Sequence, residues 1–160
     1  MYALAHVWIL AHPFGSPTVF SSYQFSDGDS GAPNGNSGAC SGNGGASGWY
    51  CRHRWTSVSR MVGFRNAVQT ADITNWVSPS SQRAAFGRGK TGFVVINNTD
   101  QDWSSTFQTS LPAGTYCNVI DGVKNGASCT GSTITVGSNG SFTYNVGNRD
   151  AVAIHINAKL

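Results

Sequence analysis

The chain has 160 residues, 39% hydrophobic and 11% aromatic, and a net charge of +3. These proportions fit a folded protein of one domain or one and a half and exclude a disordered chain. The arginines are scattered, and no apolar run approaches the roughly 20 residues that span a bilayer, so neither a nucleic-acid partner nor a membrane is expected. Twenty glycines and few charges favour loops and β structure over long helices. All seven acids are aspartates: Asp27, Asp29, Asp72, Asp100, Asp102, Asp121 and Asp150. Chemistry that needs a glutamate must take it from outside this chain.

Residues 1–11 (MYALAHVWILA) predict a helix that ends near Pro13. Its apolar residues cover every face, so it is expected to be buried on all sides. The segment lacks a basic leader and a small-residue cleavage site, so it does not read as a signal peptide. After a turn at Phe14-Gly15-Ser16-Pro17, residues 18–25 (TVFSSYQF) predict a strand, with Val19 and Phe20 adjacent as in a strand buried on two sides. One parallel strand has no sheet to join, which marks the chain as part of something larger.

Residues 26–48 are almost wholly Gly, Ser and Asn, a linker by composition. Cys40, Cys51, Cys117 and Cys129 allow three pairings. The local pairs Cys40–Cys51 and Cys117–Cys129 would each close a short Gly/Ser/Asn-rich loop, and neither CxxC nor Cys/His metal spacing occurs. Disulfides, and with them an oxidising compartment, are expected. The triplets Asn97-Asn98-Thr99 and Asn139-Gly140-Ser141 have the acceptor pattern for N-glycosylation, compatible with secretion.

Residues 49–69 predict an amphipathic helix with Trp55, Val58, Met61, Val62 and Val68 on one stripe. Arg65 falls at the edge of that stripe, half-buried and paired. Residues 72–78 read as a connector, with Trp76 packing at a domain junction. From residue 82 onward the pattern is short strands, at 83–86, 91–97, 104–109, 114–120, 132–136, 141–146 and 151–157, with turns rich in Gly, Asn and Pro between them. Such spacing predicts an antiparallel sandwich or barrel. Phe93 to Ile96 is an unbroken apolar run, expected of a strand buried on both faces. Gly87 and Gly89 are expected to supply positive φ in the turn before it, and Asn139-Gly140 to close a hairpin between its flanking strands.

Several pieces taken together are similar to secreted α-amylases of the animal and actinomycete type, within the family-13 glycoside hydrolases. They are Leu10-Ala11-His12-Pro13-Phe14-Gly15, Ser21-Ser22-Tyr23, the WYCRHRW stretch from Trp49, Met61-Val62-Gly63-Phe64-Arg65-Asn66, Phe86-Gly87-Arg88-Gly89, Leu111-Pro112-Ala113-Gly114-Thr115-Tyr116-Cys117 and Ala153-Ile154-His155. The match runs in order along essentially the whole chain. The resemblance implies the last part of a (β/α)8 TIM barrel followed by an all-β antiparallel Greek-key C-terminal domain. Residues 1–78 would carry the seventh helix, eighth strand and eighth helix of the barrel, and residues 79–160 the β domain.

It also implies retaining hydrolysis of α-1,4-glucans such as starch and glycogen, by carboxylates upstream of this segment, so no catalytic residue is assigned here. Calcium is expected in the full-length parent but no metal site in this segment, and the parent is expected to be a secreted monomer. Animal-type members hold chloride partly through a basic residue after Ser-Ser-Tyr; here that position is Gln24, and chloride is not expected. The residues by themselves leave weak substrate-binding candidates: Asp27 with Asp29 after the eighth strand, and Trp49 with Tyr50 as a sugar-stacking platform. Polar loop and core packing are their plainer readings. His6, His12 and His155 read as structural and His53 as outward-facing, while Arg88 either pairs with an aspartate across the junction or sits in a solvated turn. A free-standing glucan-binding module is the alternative function.

Overall fold

The computed structural model describes residues 2–33, 38, 40–42 and 44–160. Met1 of the predicted first helix, and residues 34–37, 39 and 43 of the glycine-rich stretch, lie outside the described residues. Among the described residues there are two α-helices, α1 (Tyr2–Ala11) and α2 (Thr56–Val68), the latter preceded by a 3-10 turn at Arg52–Arg54. The glycine-rich stretch carries two short paired strands, β1 (Cys40–Ser41) and β2 (Gly44–Gly45). The remaining strands are β3 (Ile73–Ser80), β4 (Arg83–Arg88), β5 (Gly92–Asn97), β6 (Trp103–Gln108), β7 (Gly114–Cys117), β8 (Lys124–Asn125), β9 (Ser128–Cys129), β10 (Thr133–Val136), β11 (Ser141–Val146) and β12 (Asp150–His155).

A four-stranded antiparallel sheet in the order β12-β5-β4-β3 sits at the centre. Alternation along its strands divides the core into two. Val94 and Ile96 of β5, Phe86 of β4, and Ala151 and Ala153 of β12 face the helices, where they meet Leu4, Val7, Leu10, Val58, Met61, Phe64 and Val68. Phe93 and Val95, Ala85, and Val152 and Ile154 face the other way. There they meet Trp103, Phe107, Tyr116, Ile134, Phe142 and Val146 from the antiparallel ladders β6–β11 and β7–β10. The result is three layers: helices, sheet, and a second layer of strands. All six residues of β5 are buried, as its unbroken apolar run requires. Among the described residues no helix is long and apolar enough to cross a membrane.

The structure corrects several expectations. Residues 18–25 form no strand; among the described residues their one bridge is Tyr23 to Trp49, and Phe20 and Phe25 are 74% and 64% exposed. A parallel strand needs neighbours, and here the chain offers an antiparallel contact with one short segment. Helix α1 is covered on one side, leaving Tyr2 and Ile9 each 39% exposed. Helix α2 starts at Thr56, and its buried stripe takes in Phe64 and leaves out Val62.

Residues 72–78 are no connector. They enter the edge strand β3, whose regular alternation is broken by a bulge near Asn75 (φ 52°), and Pro79 is tolerated because β3 is an edge strand. Gly89 has φ 53°, but Gly87 lies in β4 with ordinary φ. Its missing side chain matters because a Cβ there would sit 2.5 Å from Thr74 Oγ1. The turn at Asn139-Gly140 does bring Gly140 to φ 76°, yet β10 pairs with β7 and β11 with β6. That turn carries the chain from one ladder to another and closes no hairpin. Ile156 leaves the strand pattern for a 3-10 turn, Ile156–Ala158.

Candidate functional site

The segment from Pro13 to Trp55 holds most of the sequence-predicted site residues. Its anchor is a short antiparallel contact: Gln24 N–H donates to the Gly48 carbonyl at 2.7 Å and Tyr50 N–H to that of Ser22 at 2.8 Å. Tyr23 meets the edge of Trp49 at 5.5 Å and of Phe25 at 6.2 Å. Trp49 is therefore partly occupied as a packing residue. Tyr50 is 40% exposed, but the Arg52 guanidinium lies 4.8 Å from its ring, 4.0 Å from that of Tyr2 and 5.6 Å from that of Trp55. Cation–π contacts of this kind hold the aromatic groups together.

Gln24 is exposed beside this contact. Asp27 and Asp29 are exposed as well, and Asp27 Oδ1 accepts the Asp29 N–H at 3.0 Å, a local turn. The backbone thus joins Gln24 to Gly48, next to Trp49 and Tyr50, while the hydrogen bonds of Asp27 stay within its own turn.

Both local disulfides form. Cys40–Cys51 closes the glycine-rich stretch with Cα atoms 5.8 Å apart, and Cys117–Cys129 closes the loop after β7 with Cα atoms 5.3 Å apart.

The histidines divide by burial. His6 is buried, with Nδ1 3.1 Å from the Tyr2 carbonyl oxygen. His12 stacks on Trp8 at 5.3 Å and accepts the Phe14 N–H at 3.2 Å. His53 is exposed. His155 is buried against Phe64, and burial, with a smaller contribution from Lys124, lowers its pKa to about 4. Among the described residues no three His, Cys, Asp or Glu side chains gather in a metal-binding group.

Arg88 fits neither sequence reading. It is fully buried and donates to three backbone carbonyls: Ala71 at 2.7 Å, Ala11 at 2.5 Å and Gln69 at 2.8 Å. Ala11 ends α1 and Gln69 follows α2, so one guanidinium ties both helix C-termini to the sheet, where the helix dipoles favour a cation. Burial and the nearby Arg65 lower its pKa, and Asp72 opposes them, without a hydrogen bond to any carboxylate. Arg65 does the same work one turn later, donating to the carbonyls of His12 and Pro13 and, at 2.7 Å, Gly15. Sequence reasoning placed Arg65 but missed the carbonyl cradle of Arg88. The signal was the pair of glycines around it, which let β3 and Ala71 come close.

Sequence reasoning also left a cavity of about 460 Å³ unseen; it lies between α1 and the sheet and is lined by Leu4, Trp8, Trp76, Gln82, Arg83 and Ile96. Trp76, in β3 and 48% exposed, stacks on Phe86 at 5.4 Å and meets the edge of Trp8 at 6.2 Å, a contact between sheet and helix.

The geometry describes an all-β antiparallel domain with two helices clamped to one face, and a loop region held by aromatic and cation–π contacts. The chain belongs to the family described as alpha amylase, C-terminal all-beta domain, whose model matches residues 76–157. It is 44% identical to the alpha-amylase of Tenebrio molitor over 168 aligned residues, covering 99% of this chain and 36% of that protein. It is 42% identical to the alpha-amylase of Streptomyces violaceus over 157, covering 98% and 26%. Among solved structures it resembles alpha-amylase I from Eisenia fetida in complex with maltohexaose, with TM-score 0.82 and 32% identity, covering 97% of this chain and 35% of that one. The chain spans about a third of the length of the curated relatives it matches.

Proposed function

We propose that this chain is the C-terminal portion of a secreted α-amylase that hydrolyses internal α-1,4-glucosidic bonds of starch and glycogen with retention, and that alone it is inactive. The observation that carries this reading is the likeness of nearly the whole chain, helices included, to the Eisenia fetida enzyme. Residues 1–78 then complete a (β/α)8 barrel, with α1 as its seventh helix and α2 as its eighth; residues 18–25, which form no strand in this chain alone, would take the eighth-strand position only beside neighbouring strands of the parent, and residues 79–160 form the β domain. The exposed rings of Phe20 and Phe25 support this, because strand neighbours supplied by preceding polypeptide would cover them.

Retaining hydrolysis uses two carboxyl groups about 5 Å apart, one of them a raised-pKa acid. In this reading both lie on the preceding polypeptide, and the absence of any glutamate here supports that placement. Calcium belongs to the full-length parent. The parent works without chloride, because the neutral amide of Gln24 supplies no charge to an anion. The two disulfides support secretion. This segment contributes the last barrel unit and a wall beside the cleft, and the glucan is met through the parent.

Two measurements test the reading. Incubated with amylose, the isolated chain is expected to release no reducing sugar; release at a rate proportional to protein would overturn it. The full-length parent is expected to be equally active with and without chloride, and a severalfold dependence would remove the role given to Gln24.

A further inference from the structure

Two triplets carry the Asn-X-Ser/Thr pattern, and the sequence does not separate them. The fold does. Each asparagine side chain makes the same local pattern of bonds, in two different turns. Asn97 Oδ1 accepts the Thr99 N–H at 3.3 Å and the Thr99 hydroxyl at 2.8 Å. Asn139 Oδ1 accepts the Ser141 N–H at 3.1 Å and the Ser141 hydroxyl at 2.9 Å. The difference lies at the amide nitrogen, the atom a glycan would take.

Asn97 is fully buried, and its Nδ2 is directed at the carbonyls of Gln101 at 2.8 Å, Val146 at 3.3 Å and Gly147 at 2.8 Å. Its Oδ1 also accepts Arg83 Nε at 3.2 Å. Asn139 is exposed at the tip between β10 and β11, and among the described residues its Nδ2 makes no hydrogen bond. The turn beneath it is held by Gly140 N–H on the Gly137 carbonyl at 2.9 Å and by Gln108 Nε2 on the Asn139 carbonyl at 2.9 Å.

We propose that Asn139 is an N-glycosylation acceptor in the folded, exported protein and that the Asn97 triplet is silent. In the transfer, Asn139 Nδ2 attacks C1 of an oligosaccharide carried on a polyprenyl diphosphate. The C1–N bond forms, the C1–O bond to the diphosphate breaks, the diphosphate leaves with the electron pair, and the amide gives up one proton to a base of the transferring enzyme. Asn139 is exposed, so a glycan on its Nδ2 projects from the surface and leaves both Oδ1 hydrogen bonds in place. A glycan on Asn97 has to enter the core at the expense of the carbonyl contacts, so chains modified there do not reach the folded state.

The inference rests on the reading of the chain as an exported protein. The test is expression of the chain, fused to a secretory signal, in a eukaryotic host that glycosylates. The secreted protein is treated with peptide N-glycosidase in heavy-oxygen water and mapped by mass spectrometry, beside a digest without the glycosidase that subtracts spontaneous Asn-Gly deamidation. The expected result is a heavy-oxygen aspartate at position 139 in most molecules and an unmodified Asn97. Ser141→Ala abolishes the label and Ser141→Thr keeps it. Secreted protein with an unmodified Asn139, or with a glycan on Asn97, overturns the proposal. Because the signal is supplied, this outcome is distinct from failure of the export reading, which would show as reduced cysteines in protein from its native source.

Discussion

Arg88 is the residue on which the junction of helices and sheet turns. Replacing it by Met removes three hydrogen bonds and leaves the carbonyls of Ala71, Ala11 and Gln69 without that donor in a dry site. Each such loss costs about 1–3 kcal/mol, so Arg88→Met is expected to lower stability by about 3 kcal/mol or more, read as a drop in the urea midpoint. Arg65→Met, at a wetter site, is expected to cost clearly less; equal losses would show that Arg88 is not the principal tie. His155 makes a second residue-scale prediction. Burial holds its pKa at about 4, against an ordinary value near 6.5. As pH falls through that window the unfolded chain takes up a proton that the folded chain refuses. The stability held by neutral His155 is therefore complete above about pH 6.5 and is lost toward pH 4. Melting temperature is expected to fall across that range, and His155→Gln to flatten the fall.

At the scale of elements, the contact between α2 and β5 depends on an absent side chain. A Cβ on Gly92 would lie 2.4 Å from Val68 Cγ1 and 2.8 Å from Phe64 Cζ, both side chains buried in the core. Gly92→Ala is expected to destabilise by about 1–3 kcal/mol through overpacking, whereas Gly63→Ala, with nothing within 4 Å of its Cβ, is expected to be neutral or slightly stabilising. Chemical denaturation of the two variants side by side checks this. The Cys117–Cys129 bridge closes a 12-residue separation after β7 and anchors a loop that reaches back to Lys159 through Lys124. Its removal by Cys117→Ala with Cys129→Ala is expected to cost about 2–4 kcal/mol. Thermal unfolding of the double variant would show it; an unchanged midpoint would mean that the ladder β7–β10 holds the loop unaided.

For the whole molecule, the three layers set an order of opening. Strand β5 lies inside the central sheet, buried on both faces and paired on both edges, by β4 and β12. Its amides are expected to exchange with deuterium last, and those around β1–β2 and residues 18–25 first. Early exchange in β5 would contradict the layered core. The helices reach the sheet from one side only, so the face of α1 turned away from it stays partly exposed.

Much of this was legible in residue order. The unbroken apolar run in β5 marked strand character and burial on both faces, because side-chain direction in a strand is set by the backbone alone. The local cysteine spacing pointed to both disulfides, and the resemblance pointed to the family. What lay beyond the sequence was decided by partners far away in the chain. Residues 18–25 have strand composition and no sheet to join. Asn139-Gly140 makes its turn but cannot choose which ladder receives β11. Ile73 to Ser80 became a strand only because β4 offered an edge that tolerates a bulge. Arg88 looked like a turn residue until α1 and α2 brought their last carbonyls to it. Local propensity and pattern act within a few residues, whereas these outcomes depend on desolvation and hydrogen bonding between segments up to 77 residues apart, and only the assembled core sets those.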